Sequence, residues 1–369
     1  MNTPGKKINL CIIHPNFKCG GSERFISIMC NNINTDAFNV EFYILDGSNP
    51  FYQISNPNVK VTFLNIKNVR NSLFTILKII KKSKPDILFT ASNHLNLFLS
   101  IFKFLFPQNL KWVARESSII SINSQSSGYG KVYHYLLKKF YKNIDHIICQ
   151  SEYMQNDLVK NYKIKKKKTT IIYNPVEDIP NIGISSIPIQ KNKYKFFTVG
   201  RLSSEKGIDR LLESVALLEI DFGLHIIGDG KEKNNLQQLA NKLHVQNKVF
   251  FEGQKSNPYE NMYDADLFLL GSHYEGFPNV VLEAGMLGIP VVAFNSPGGI
   301  AEIIEDGMNG FLAENNNTRA FSDIIIKAIK YNFNKESIIN ITKEKFSAPK
   351  IIHQLEDYLI KICKSNLAP

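Results

Sequence analysis

A chain of 369 residues exceeds what one hydrophobic core usually holds, so two domains are expected, and 44% hydrophobic with 21% charged residues is the balance of a soluble globular protein rather than a disordered or membrane-embedded one. The net charge of +11 is lopsided: residues 1–190 hold 24 Lys and Arg against 11 Asp and Glu, whereas residues 191–369 hold 20 against 22. The basic half is thus expected to meet something anionic: lipid headgroups, nucleic acid or a phosphorylated substrate.

In chain order, "INLCIIH" (8–14) predicts a buried first strand, since its apolar run is too short for a secretory signal. A helix follows over 22–34, where Phe25, Ile28, Met29 and Ile33 recur at helical spacing. Further strands are expected at 40–45, 59–64, 86–91, 111–115, 146–151 and 169–174. The most apolar window, 95–106, is interrupted by Lys103 and is too short to cross a bilayer. Polar, Pro-containing 174–193 reads as a linker, after which strands resume at 195–200, 223–228, 248–253, 266–271 and 290–295. Continuous apolar strands alternating with helices mean parallel sheets covered on both faces. The expected fold class is α/β, with two Rossmann-like doubly wound parallel-sheet domains facing across a cleft. Their expected extents are 1–177 and 193–348, joined by a linker at 178–192, with a C-terminal helix at 349–369 packing back toward the first domain. Cysteines 11, 19, 30, 149 and 363 form no C-x-x-C pair and leave one over, which points to a reducing, cytoplasmic setting.

Ligands of such sheets bind beyond the carboxyl ends of the strands, and the chemically suggestive stretches of the second half lie there. "VGRLSSEKG" (199–207) places Arg201 and Lys206 before a helix start, where the dipole makes cations unwelcome; a planar fork and a point charge together suit a diphosphate. "IGDG" (227–230) is a tight turn containing Gly228. "YEGFPNVVLEAG" (274–285) sets Glu275 and Glu283 among apolar residues, where an unpartnered carboxylate would be costly. Pro278 suits the first turn of a helix, in which Val280, Val281, Ala284 and Leu287 mark the packed side. Carboxylates at these positions could accept hydrogen bonds from vicinal hydroxyls, while a capping and a salt-bridged glutamate are the plainer alternative. "SPGGIAEII" (296–304) is another Gly-rich turn into a helix. "DAD" (264–266) imitates a metal-binding D-x-D but sits at a helix–strand junction, where capping is the better account.

These stretches, with "VFFEG" (249–253) and "GMNGFL" (307–312), resemble in order and spacing the retaining glycosyltransferase family 4 of GT-B architecture, and "EGFPNVVLE" resembles its E-x(7)-E element. The resemblance covers nearly the whole second half; in the first half it is carried by the "GGSERF" loop (20–25) and the strand–helix order. It implies an acceptor-binding first domain and a nucleotide-sugar-binding second one. Arg201 and Lys206 would hold the diphosphate and stabilise it on departure, and Glu283 would bind the ribose. Glu275, Gly276, Phe277, Pro278 and Asn279 would grip the donor sugar, with Gly228 and Gly253 on the donor side. Gly20 and Gly21 would approach the donor phosphates. The resemblance implies a metal-independent enzyme with no cofactor, and a UDP-sugar donor before GDP-mannose.

One departure is "WVARESS" (112–118), which has Arg115 and Glu116 where many members carry a His-Asp or His-Glu pair. Glu116 would contact the sugar or take the acceptor's proton, or else form a surface pair with Arg115. His14 and His94 are further acceptor-side candidates. Lys residues beside aliphatic and aromatic ones at 72–84, 131–143 and 162–168 suit an anionic inner membrane leaflet and a saccharide or lipid-linked acceptor, or simply solvated helix faces. The competing functions are a non-hydrolysing sugar-nucleotide epimerase and a non-catalytic sugar or nucleic-acid binder; no nucleic-acid module is recognisable, so nucleic acid is not expected as a partner.

Overall fold

Strand β1 (Ile8–Asn16) begins the first of two compact units in the computed structural model, which describes residues 6–123, 130–179, 194–255 and 257–364. Unit 1 is Met1–Pro175 with Ala348–Pro369, and unit 2 is Val176–Ser347. In unit 1, α1 (Gly21–Asn32), β2 (Phe38–Asp46), β3 (Val59–Phe63), α2 (Leu73–Ser83), β4 (Ile87–Thr90), α3 (Asn93–Ile101) and β5 (Lys111–Arg115) follow in turn. Then come α4 (Ile120–Asn123), α5 (Gly130–Phe140), β6 (His146–Cys149), α6 (Glu152–Tyr162) and β7 (Thr169–Ile171). The sheet is wholly parallel in the order β3-β2-β1-β4-β5-β6-β7, so the winding reverses between β1 and β4. The four residues of β4 are all buried, as a strand covered on both faces requires.

Unit 2 repeats the plan with β8 (Tyr194–Val199), α7 (Ile208–Val215), β9 (Phe222–Ile227), α8 (Lys233–Lys242), β10 (Val249–Gly253), α9 (Tyr259–Met262) and β11 (Leu267–Leu270). It continues with α10 (Asn279–Met286), β12 (Val291–Phe294), α11 (Ile300–Ile303), β13 (Gly310–Ala313), α12 (Thr318–Lys330) and α13 (Lys335–Phe346). Its parallel order is β10-β9-β8-β11-β12-β13, reversing between β8 and β11. The twelve expected strands are present with ends shifted by a few residues; β13 was not expected, because its four residues lie among polar and turn-forming neighbours. It exists because its backbone pairs with β12, Val292 against Phe311 and Ala293 against Leu312.

The last helix, α14 (Ala348–Lys364), belongs to unit 1. Ile351, Ile352, Leu355, Leu359 and Ile362 recur at helical spacing and are buried in one cluster with Phe25, Met29 and Ile33 of the first helical segment. At about 1.5–3 kcal/mol for each aliphatic side chain taken out of water, that face holds the helix in place. Glu356 Oε1 also accepts a hydrogen bond from the Asn34 backbone N–H at 2.6 Å. The stretch 178–192 read as a linker lies almost wholly outside the described residues.

Candidate active site

In unit 2 the loops leaving β8 and β11 meet at the point where the strand order reverses. After β8 the chain makes a short turn over Ser204–Lys206 before α7, which leaves Arg201 exposed and Lys206 half-buried. After β11, Gly271 and Ser272 lead to Glu275. Lys206 Nζ donates to Glu275 Oε1 at 2.6 Å, and Ser272 Oγ donates to the same oxygen at 2.6 Å. The His273 backbone N–H donates to the Glu205 carbonyl at 2.9 Å, tying the two loops together. Burial works against ionising Glu205, but the Ser203 hydroxyl and the nearby Arg201 and Lys206 charges bring its carboxyl below the ordinary value.

Glu275 is fixed from behind by the turn at 296–299. Its N–H donates to the Pro297 carbonyl at 3.0 Å, and it bridges to Gly298. Gly298 has φ +126°, and a Cβ there would lie 1.5 Å from the Glu275 carbonyl oxygen, so no other residue fits. Sequence reasoning passed over Arg210, a buried side chain inside the quoted motif. Its guanidinium donates to the carbonyls of Gly271 and Ser272 and to Asn315 and Asn316 Oδ1, both at 3.0 Å, and stacks 4.0 Å over Phe294. Arg210 thereby sets the path of the turn that delivers Glu275. An arginine among hydrophobic helix positions was the available signal.

The remaining residues of this stretch differ from the simple amphipathic expectation. Pro278 caps α10 and does not enter it; its carbonyl accepts from the Val281 N–H at 3.1 Å. Positions 281–286 are all buried, so α10 has no single packed side, and Glu283 is 4% exposed. Phe277 is buried edge-on against Phe346 at 5.6 Å, while Gly276 accepts from the Gly299 N–H at 3.1 Å and Asn279 begins the helix. Gly228 donates to the carbonyl of Gly253 at 2.8 Å, joining the ends of β9 and β10; its φ of +146° places it against the Gly200 carbonyl. Asp264 pairs with the Lys195 ammonium and Asp266 accepts from the Lys195 N–H at 2.7 Å, both at the opposite strand ends from Glu275.

In unit 1 the ends of β1, β4 and β5 surround a cavity of about 410 Å3 beside the reversal of strand order, lined in part by His14, Glu23 and His94. Gly20 and Gly21 lie at the start of α1 beside it. His14 is buried, and its Nδ1 lies 2.6 Å from the Asn16 carbonyl. His94 is in the first turn of α3, near the Ser92 hydroxyl. Burial lowers the pKa of both imidazoles, with the Glu23 carboxylate opposing that shift. Glu23 was not singled out in sequence, although it lies within the quoted "GGSERF".

Arg115 and Glu116 do not form a surface pair: they are 0% and 1% exposed and do not hydrogen-bond to each other. Arg115 stacks 3.7 Å over Phe25 and donates to Asn174 Oδ1. Glu116 Oε1 accepts from Tyr141 Oη at 2.5 Å and Asn96 Nδ2 at 3.1 Å. Burial pushes the Glu116 carboxyl up to about 7 and the Arg115 guanidinium down to about 9. Ser117 and Ser118, the next two residues, line the cavity.

Comparison with known proteins adds a second line of observation. Residues 19–178 match the sequence family Glycosyltransferase Family 4, and residues 184–345 match Glycosyl transferases group 1. The chain is 31% identical over 253 residues to glycosyltransferase MJ1059 of Methanocaldococcus jannaschii, an alignment spanning 64% of this chain and 62% of that one. It is 28% identical over 297 residues to the N-acetylgalactosamine-N,N'-diacetylbacillosaminyl-diphospho-undecaprenol 4-alpha-N-acetylgalactosaminyltransferase of Campylobacter jejuni, covering 80% and 79%. Among solved structures, Anabaena Alr3699/HepE in complex with UDP superposes with a TM-score of 0.79 at 20% identity, over 96% of this chain and 100% of that one, which shows a shared fold.

Proposed function

Since the chain belongs to the glycosyltransferases that join a family 4 domain to a group 1 domain, we propose that it is a retaining enzyme of bacterial surface-glycan synthesis. It moves a hexose or N-acetylhexosamine from a nucleotide sugar, UDP-linked in the first instance, to a saccharide or lipid-linked saccharide. The observation that carries this reading is the convergence of Arg201, Lys206 and Glu275 at the strand-order reversal of unit 2. The Campylobacter relative is named for transfer to a diphospho-undecaprenol-linked sugar, and the Anabaena neighbour holds UDP.

In this reading the two cations receive the diphosphate. An ammonium has three donors and Lys206 spends one on Glu275, so oxygen ligands can be added without breaking the pair. As the glycosidic bond breaks, charge grows on the departing phosphate and is met by Arg201 and Lys206, which needs no metal. Glu275 and the backbone of Gly276 and Asn279 take sugar hydroxyls, Glu283 takes the ribose, and Gly20 and Gly21 approach the phosphates. Arg115 and Glu116 act as positioning residues beneath the Ser117–Ser118 loop. Thermal-shift titration with UDP, GDP and their sugars tests the reading, because a ligand of the folded state raises its melting temperature. UDP stabilisation that persists in EDTA, with release of UDP from a UDP-sugar, is the expected result. No shift with any nucleotide would overturn it.

A further inference from the structure

The cavity of unit 1 has a lining whose chemistry selects its occupant. At about 410 Å3 it falls within the roughly 300–1,000 Å3 of small-molecule clefts. Its walls carry the hydroxyls of Ser22, Ser92, Ser117 and Ser118 and the amides of Asn16 and Asn93, and among the described residues no Lys or Arg lines it. Glu23 is its one lining carboxylate.

That carboxylate is held in place. Ser22 Oγ donates to Glu23 Oε2 at 2.8 Å, and Gly20 leaves room for it, since a Cβ there would lie 2.3 Å from the same oxygen. Glu23 Oε1 lies 4.0 Å from His14 Nδ1, which is already engaged by the Asn16 carbonyl, so the histidine gives it no direct hydrogen bond. His14 Nε2 is buried without a partner. On the opposite wall, Asn93 accepts from both the Ser117 N–H and Oγ and donates to Ser118 Oγ at 2.9 Å. The Ser118 hydroxyl hydrogen therefore remains available to an occupant. Tyr133 and His94 add ring faces to this polar lining.

A negative cavity without a cation repels phosphate and carboxylate, while hydroxyl donors satisfy a carboxylate at little cost. We infer that this cavity holds an uncharged sugar ring of the acceptor saccharide, whose hydroxyls donate to Glu23, and that any phosphate of a lipid-linked acceptor stays outside it. The inference rests on the glycosyltransferase reading and adds the acceptor's chemical class and the residue that orients it.

The test uses the full chain on an array of neutral and anionic glycans, with wild type and Glu23→Gln compared alongside UDP thermal shift. Neutral saccharides should be retained in preference to phosphorylated or sialylated ones. Glu23→Gln, which keeps the shape and removes the charge, should weaken that retention about tenfold, with UDP stabilisation unchanged. Ser22→Ala should weaken it less, by releasing the carboxylate from its hydroxyl. Retention of no neutral glycan, a preference for anionic ones, or equal retention by Glu23→Gln would overturn the inference. Because UDP binding is read separately, each of these outcomes leaves the donor reading standing or failing on its own.

Discussion

Lys206 and Glu275 stand 69 residues apart in sequence and 2.6 Å apart in space, and much of the proposed chemistry depends on that contact. With 29% and 13% of their side chains exposed, the pair is neither fully solvated nor dry. An arriving diphosphate competes with Glu275 for the ammonium. Glu275→Gln should therefore bind UDP alone more tightly, by about fivefold for an interaction of about 1 kcal/mol, while sugar transfer falls. Calorimetric titration reads the affinity, and weaker UDP binding in that variant would count against the competition. Lys206→Ala and Arg201→Ala should each cost about 2.7–4 kcal/mol of transition-state stabilisation, a loss of two to three orders of magnitude in turnover with an unchanged melting temperature. Near-normal turnover in both would remove the leaving-group role.

At the scale of elements, the end of β5 is held by a polar chain through the interior of unit 1. Trp112 Nε1 donates to Thr90 Oγ1 at 2.9 Å, Thr90 donates to Asn96 Oδ1 at 2.6 Å, and Asn96 and Tyr141 both donate to Glu116. The folded Glu116 carboxyl, raised to about 7 from its ordinary 4.5 chiefly by burial, holds its proton more tightly than the unfolded chain does. Its contribution to stability is present in full below pH 4.5 and is lost as the pH rises through about 7. Tyr141 and Asn96 oppose the shift through hydrogen bonds and Arg115 through its charge, while Asp157 adds to it. Glu116→Gln keeps the acceptor oxygen and removes the titration. Its melting temperature relative to wild type should rise between pH 5 and pH 8, by an amount worth about 1–3 kcal/mol. A constant difference across that range would mean that Glu116 is ionised throughout.

For the molecule as a whole, the excess of positive charge in residues 1–190 is joined to exposed apolar side chains. Phe74 is 77% exposed on α2, which also carries Lys78, Lys81 and Lys82. Val132 and Tyr135 are 61% and 60% exposed on α5 among Lys131, Lys138 and Lys139. No described helix is long and apolar enough to cross a membrane. Aromatic groups with neighbouring lysines fit the boundary of an anionic leaflet, at about 1 kcal/mol for each lysine near the surface. The chain should co-sediment with phosphatidylglycerol vesicles at low salt and be released by high salt, and Phe74→Ser with Tyr135→Ser should weaken binding. Failure to bind such vesicles would show these lysines to be ordinary solvated faces.

Strand positions, the two parallel sheets and the loops bearing Arg201, Lys206 and Glu275 were legible in the sequence because they depend on local periodicity and on turn residues at fixed offsets. β13 was not legible, since four residues among polar neighbours become a strand only through the partner beside them. Likewise, only the tertiary structure decided that Arg115 and Glu116 are buried apart, that Arg210 sets the turn before Glu275, and that Glu23 shares a cavity with His14 and His94. The protonation and reach of a charged group are set by neighbours distant in sequence, such as Tyr141 for Glu116, and such partners are brought together only when the chain folds.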